Sequence, residues 1–142
     1  MNNPIHFTVQ ARSTSGIDES WISKAIASEI NTAIPPEFGG IGGGASPEDL
    51  YALALGNCYL ATFKVIASKS KLVFSTIDVD VDLIVDINEE KKLVMKSARL
   101  TVILSGVQNE ERALRLLQKT PEHCMILNSV KTSLEFEYSV KP

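Results

Sequence analysis

The sequence predicts an α+β fold with mostly antiparallel sheets around a long, apolar central helix. Three observations predict it. Residues 77–87 and 93–104 are long alternating runs joined by a polar turn, which is a hairpin pattern. Leu50 to Ala67 is apolar on nearly every face and follows a helix-start signal, the pattern of a helix covered all round. Strands and helices are interleaved in the order β-β-α-β-β-α-α-β, which suits antiparallel pairing with helices packed on the sheet. The 142 residues are enough for one hydrophobic core, so a single domain over 1–142 is expected.

The elements follow in order. Ile5, Phe7 and Val9 alternate with His6, Thr8 and Gln10, a half-buried strand over 5–12. Residues 21–34 fit a helix through Trp21, Ala25 and Ile26, or a strand through Ile22, Ile26 and Ile30, and Pro35-Pro36 ends either one. Residues 39–44 hold five glycines in six positions. A phosphate-binding loop would need a Gly-Lys-Ser/Thr ending and a strand leading into it. Close backbone approach or a sharp bend explains the glycines better.

Ser46 is then an N-cap, Pro47 fits the first helical position, and Glu48 and Asp49 suit the positive end of the helix dipole. The helix ends within Ser68–Lys71. In the hairpin, Asp78, Asp80, Asp82 and Asp86 alternate with β-branched residues and lack the glycine of a calcium loop, so they read as a solvated face with Lys92 and Lys96 opposite. Residues 109–119 form an amphipathic helix with Leu114 and Leu117 inward and with Arg112 and Arg115 toward solvent. Thr120-Pro121-Glu122 repeats the cap–Pro–Glu signal and predicts a second short helix over 121–131. Leu134, Phe136 and Tyr138 then mark a last strand.

Composition excludes several function classes. Apolar residues make up 44% and charged residues 22%, which is ordinary globular material. A net charge of −3 with interspersed signs gives no basic footprint for nucleic acid. The amino-terminal residues lack a basic and apolar leader pattern, and the longest apolar run, broken by Asn57 and Lys64, is expected to be too short to span a bilayer. A cytoplasmic protein with no membrane partner is the expectation. Two cysteines with His6 and His123 make no convincing zinc set, and no cofactor motif is present.

Chemistry therefore centres on Cys58 and Cys124, 66 residues apart and outside any CxxC pattern. In a reducing cytosol they are either inert core thiols or redox-active ones. Cys124 is expected in a first helical turn, where the dipole and free N–H groups favour a thiolate. Cys58 lies twelve residues past its cap, beyond that field, so a reactive Cys58 needs another stabilising group. An arginine is the candidate, from Arg12, Arg99, Arg112 and Arg115. Glu48 precedes Cys58 by ten residues, about 15 Å along one helix. If both serve one site, that site combines two chains. The long apolar helix and the glycine loop also suit a dimer, since one small sheet can hardly cover that helix on every side.

The segment PPEFGGIGGGASPEDLYALALGNCY resembles the central segment of the OsmC/Ohr family, the osmotically inducible and organic hydroperoxide resistance proteins. The family pattern is a glycine-rich stretch, a Ser/Asn-Pro-Glu-x-Leu helix start, and a cysteine ten residues after the glutamate, which Glu48 and Cys58 match. TPEHCMILNSVK matches the family's second cysteine motif in place and type, except that Met125 stands where proline commonly follows the cysteine.

The resemblance implies an intertwined homodimer with sites at its interface, and a thiol peroxidase acting on organic hydroperoxides. It makes Cys58 peroxidatic, Cys124 resolving, Glu48 the activating carboxylate and Arg12 the arginine. It implies reduction by a dithiol such as a lipoyl group. The alternative is a member without peroxidase activity that binds a small hydrophobic ligand at the dimer interface.

Overall fold

A computed structural model of the chain describes residues 4–142. Met1–Asn3, part of the stretch read for a leader, lie outside the described residues. The chain divides into two compact units, one ending at Leu50 and the other running Tyr51–Pro142.

The first unit is an antiparallel meander of β1 (Val9–Arg12), β2 (Trp21–Ala25) and β3 (Ser28–Thr32). The first strand is shorter than the alternation suggested, because only Val9–Arg12 finds a pairing partner in β2. The ambiguous segment is a tight hairpin, with Ile26 in the left-handed region at φ 56°. A helix would have left the edge of β1 unpaired, whereas the hairpin supplies it with a neighbour.

The glycine stretch folds back on the end of β3. Gly42 N–H donates to the Ile34 carbonyl at 3.0 Å, and Ala45 N–H to the Asn31 carbonyl at 2.9 Å. A Cβ on Gly40 would collide with the Ile34 carbonyl, and one on Gly44 would sit 2.9 Å from the Asn31 oxygen. Close backbone approach is thus the use made of these glycines.

Next, α1 (Pro47–Lys69) opens on a reciprocal cap. Ser46 Oγ accepts from Asp49 N–H at 3.0 Å, and Asp49 Oδ2 accepts from Ser46 N–H at 2.9 Å. The helix continues through Asn57 and Lys64 for 23 residues, so the expectation that the run is short for a bilayer is overturned on length and composition. Leu55, Tyr59, Phe63 and Ala67, spaced four apart, are buried in the core of the second unit. The helix ends with Lys71 at φ 55°, where Leu72 N–H reaches back to the Ala67 carbonyl, a Schellman closure made without glycine.

The second sheet has the order β4-β5-β6, with β4 (Thr76–Ile87) and β5 (Leu93–Ser105) as the expected hairpin. Its turn is held by Asn88 Oδ1, which accepts from the N–H groups of Glu90 and Lys92. The aspartates of β4 face solvent. Lys96 lies 4.0 Å from Asp86, but Lys92 turns to Glu90 at 3.8 Å instead of facing the aspartates.

β6 (Ser133–Lys141) pairs parallel to β5, from Ser97↔Ser133 to Ser105↔Lys141. A parallel pair needs a crossover, and α2 (Glu110–Lys119) with the segment after it provides one. Ala113 and Leu117 are the fully buried residues of α2, with Leu114 only half-buried. Arg112 is half-buried, not solvent-facing as expected, because its guanidinium donates to the Ser70 carbonyl at the end of α1. The core of this unit joins α1, the inward face of β5 (Leu100, Val102, Leu104), α2, Cys124 and Leu127.

Candidate active site: a pair of adjacent thiols

Cys58 follows the deeply buried Leu55 and Gly56 on α1 and is itself half-buried. Cys124 is fully buried. The structure brings the two together. Cys124 Sγ lies 3.9 Å from the Cys58 carbonyl oxygen and 3.3 Å from that of Thr120, and donates its S–H toward them. Cys58 Sγ in turn accepts the backbone N–H of Ile126 at 3.4 Å. Both thiols are free.

The surroundings of Cys124 correct the sequence reading. No second helix forms over 121–131. Thr120–His123 and Leu127–Ser129 are single 3-10 turns, and Cys124 between them is extended at φ −86°, ψ 104°. The reason lies in Thr120, whose hydroxyl donates to the Leu116 carbonyl at 2.8 Å. It prolongs α2 and is not available to cap a new helix.

Without a helix dipole behind it, Cys124 does not favour the thiolate. Burial pushes its thiol up to about 11 from the usual 9.0, and charge on neighbouring Cys58 pushes the same way. Burial likewise raises Tyr59 and Tyr138, which lie near Cys124. Tyr59 OH donates to the Leu117 carbonyl at 2.8 Å, which ties α1 to α2 beside the cysteines.

Glu48 sits in the first turn of α1 with Oε1 buried and without a hydrogen-bond partner among the described residues. Arg12 is exposed on β1 and takes part in no ion pair among the described residues. α1 is continuous from Pro47 to Lys69, so the condition set for the Glu48–Cys58 distance is met. Arg99, another of the four arginines, is engaged by Glu135 at 3.3 Å and Glu137 at 3.8 Å. Sequence reasoning missed the Ile126 N–H as a partner of Cys58, because a backbone donor leaves no trace in residue type.

The profile of the OsmC-like protein family matches residues 40–139, which include both cysteines and Glu48. The chain belongs to the OsmC-like family. Among curated relatives, an organic hydroperoxide resistance protein of Xanthomonas axonopodis pv. citri is 25% identical over 130 residues, 91% of this chain and 90% of the relative. An uncharacterized protein of Acinetobacter baylyi is 26% identical over 134 residues, 94% of this chain and 92% of the relative.

Solved OsmC-like structures share the fold. A Vibrio cholerae OsmC-like protein of unknown function superposes with a TM-score of 0.84 at 18% identity, covering 95% of this chain and 99% of that one. An organic hydroperoxide resistance protein OsmC from Legionella pneumophila gives 0.74 at 22% identity, covering 98% and 100%. Arg12 lies outside the part of the OsmC-like profile that matches.

Proposed function

We propose that the protein is a cytoplasmic thiol peroxidase that reduces organic hydroperoxides, with Cys58 peroxidatic and Cys124 resolving. The observation that carries the reading is the adjacency of the two thiols across 66 residues of sequence, one half-buried and hydrogen-bonded, the other sealed in the core. Family membership and the hydroperoxide-resistance names of relatives support the substrate class.

The chemistry divides between the sulfurs. The Cys58 thiolate attacks the outer oxygen of ROOH. The S–O bond forms as the O–O bond breaks, sulfur is oxidised by two electrons, and RO⁻ leaves and takes a proton to become ROH. The sulfenic acid is then attacked by Cys124. The S–S bond forms, the S–O bond breaks, and the hydroxyl leaves as water with the Cys124 proton. A dithiol, of the lipoyl kind, returns the disulfide to two thiols and is itself oxidised. Because Cys124 holds its proton at neutral pH, it does not compete for peroxide.

Glu48 and Arg12 complete the site in a homodimer. The unpaired Glu48 oxygen is a place for a guanidinium, and an exposed Arg12 is free to supply one. Since Glu48 lies about 15 Å from Cys58 along α1, Glu48 of one protomer serves Cys58 of the other.

Intact mass after mixing reduced protein with cumene hydroperoxide tests this. Wild type is expected to lose two hydrogens, and Cys124→Ser to gain one oxygen. An unchanged mass in both would make Cys58 a packed core thiol.

One observation favours a second reading. A groove of about 690 Å³ lined by Tyr51, Leu93, Met95, Val130, Lys131 and Thr132 could hold a small apolar ligand. Ligand binding would survive Cys58→Ser, whereas peroxide turnover would not.

A further inference from the structure

We infer that the backbone N–H of Ile126 is the positioning donor for the Cys58 sulfur, so that the segment bearing the resolving thiol also holds the peroxidatic one. This inference rests on the reading of Cys58 as the reacting thiol. The Ile126 N–H points at Cys58 Sγ from 3.4 Å. Two residues earlier in the same segment, Cys124 Sγ points at the Cys58 carbonyl. The 124–129 segment therefore grips Cys58 at both its side chain and its backbone.

That segment has a conformation of its own, which is what makes the donor fixed. Asn128 N–H donates to the Cys124 carbonyl at 2.9 Å, and Ser129 N–H to the Ile126 carbonyl at 3.0 Å. Ser129 Oγ donates to the Met125 carbonyl at 2.8 Å, and Asn128 Nδ2 to the Glu122 carbonyl at 2.9 Å. Leu127 anchors it in the core. Every one of these bonds uses a donor other than the Ile126 N–H. That group is left over from the turn and is spent on sulfur.

A hydrogen bond of this kind favours the charged form of its acceptor. It strengthens when Cys58 is a thiolate and weakens when the sulfur is bonded to oxygen or to Cys124. The grip on the segment is thus tightest in the reduced, ionised state that meets peroxide. It slackens once the sulfur has given up its charge, when Cys124 must leave its carbonyl partners to reach it. Ile126 itself touches no substrate in this scheme. It orders the nucleophile.

The test uses the full-length reduced chain, kept anaerobic and labelled with ¹⁵N. The Ile126 amide proton is followed by NMR from about pH 5 to 10, while alkylation of the Cys58 peptide by iodoacetamide is measured over the same range. The expected result is a downfield movement of the Ile126 resonance along the curve of Cys58 alkylation, absent in Cys58→Ser. A flat Ile126 resonance while Cys58 titrates overturns the inference, and so does a Cys58 that is never alkylated.

A pair of variants adds a rate. Ile126 has φ −66°, the value proline imposes, so Ile126→Pro removes the N–H at a compatible angle. Cys58 alkylation at neutral pH is expected to fall about tenfold in Ile126→Pro, the worth of one charged hydrogen bond, and to stay within about twofold in Ile126→Ala, which keeps the donor. Equal rates in the two variants overturn the inference. Neither readout uses peroxide. A titrating Ile126 in a protein whose mass does not respond to hydroperoxide would leave the donor in place and remove the peroxidase reading alone.

Discussion

Cys124 combines complete burial with a thiol pushed up to about 11, and the consequence is an alkaline instability. The folded chain keeps this proton above the usual value of 9.0, at which the unfolded chain releases it. The contribution is therefore fully present below pH 9.0 and is lost as pH rises toward about 11, with a slope of at most about 1.4 kcal/mol per pH unit. Tyr59 and Tyr138, raised in the same direction by burial, extend the loss to higher pH. Urea midpoints across this range are expected to fall more steeply in wild type than in Cys124→Ala, and parallel curves would refute the assignment. If Cys124 resolves Cys58 as proposed, the same proton slows that step. Once Cys58 is oxidised, disulfide formation in stopped-flow measurements is expected to accelerate with pH up to about 11, in step with Cys124 ionisation. The sequence singled out the two thiols as the place for chemistry but left them open between inert and redox-active, and the roles came only from the family resemblance. The state of Cys124 was not. Thr120 reads as a helix cap by residue type, and only the preceding turn decides that its hydroxyl goes back to Leu116.

At the scale of elements, the packing of α1 on β4 turns on Gly56. A Cβ there would lie 2.9 Å from Val81 Cγ2, and a stiff β-branched side chain has little room to yield. Gly56→Ala gains about 1 kcal/mol of helix propensity but overpacks the contact by about 1–3 kcal/mol. A net loss of about 1 kcal/mol is expected by urea denaturation. Val81→Ala should relieve it, so a double-mutant cycle with no coupling would sink the explanation. Most elements could be read directly. The Ser46 N-cap of α1, the β4–β5 hairpin and β6 follow from local chemistry and strict alternation, whereas the reciprocal bond from Asp49 appears only in the structure. The β2–β3 hairpin could not, because Trp21, Ala25 and Ile26 satisfy a helical period while Ile22, Ile26 and Ile30 satisfy a strand. Its resolution depends on β1 as a pairing partner, which is a tertiary fact.

For the molecule as a whole, α1 is apolar enough to cross a bilayer by length and composition, yet it carries the core of the second unit on one face. Only 28% of its apolar window is buried, and Leu53 and Val65 remain exposed, as do Ile5, Phe7 and Val9 of the amino-terminal segment. So much uncovered apolar surface is costly in water. The proposed homodimer would cover part of it, and light scattering is expected to give twice the chain mass, with a chain-sized particle refuting the shared site. The parallel pairing of β5 with β6 has another consequence. Ser97 must find Ser133, 36 residues later, before the second sheet can close. Contacts of such long sequence separation form slowly. Until Ser133–Lys141 has been synthesised and docked, the sheet against which Cys124 is buried is incomplete. The thiol that is sealed in the finished protein is thus open to oxidants in the nascent chain until that last strand docks.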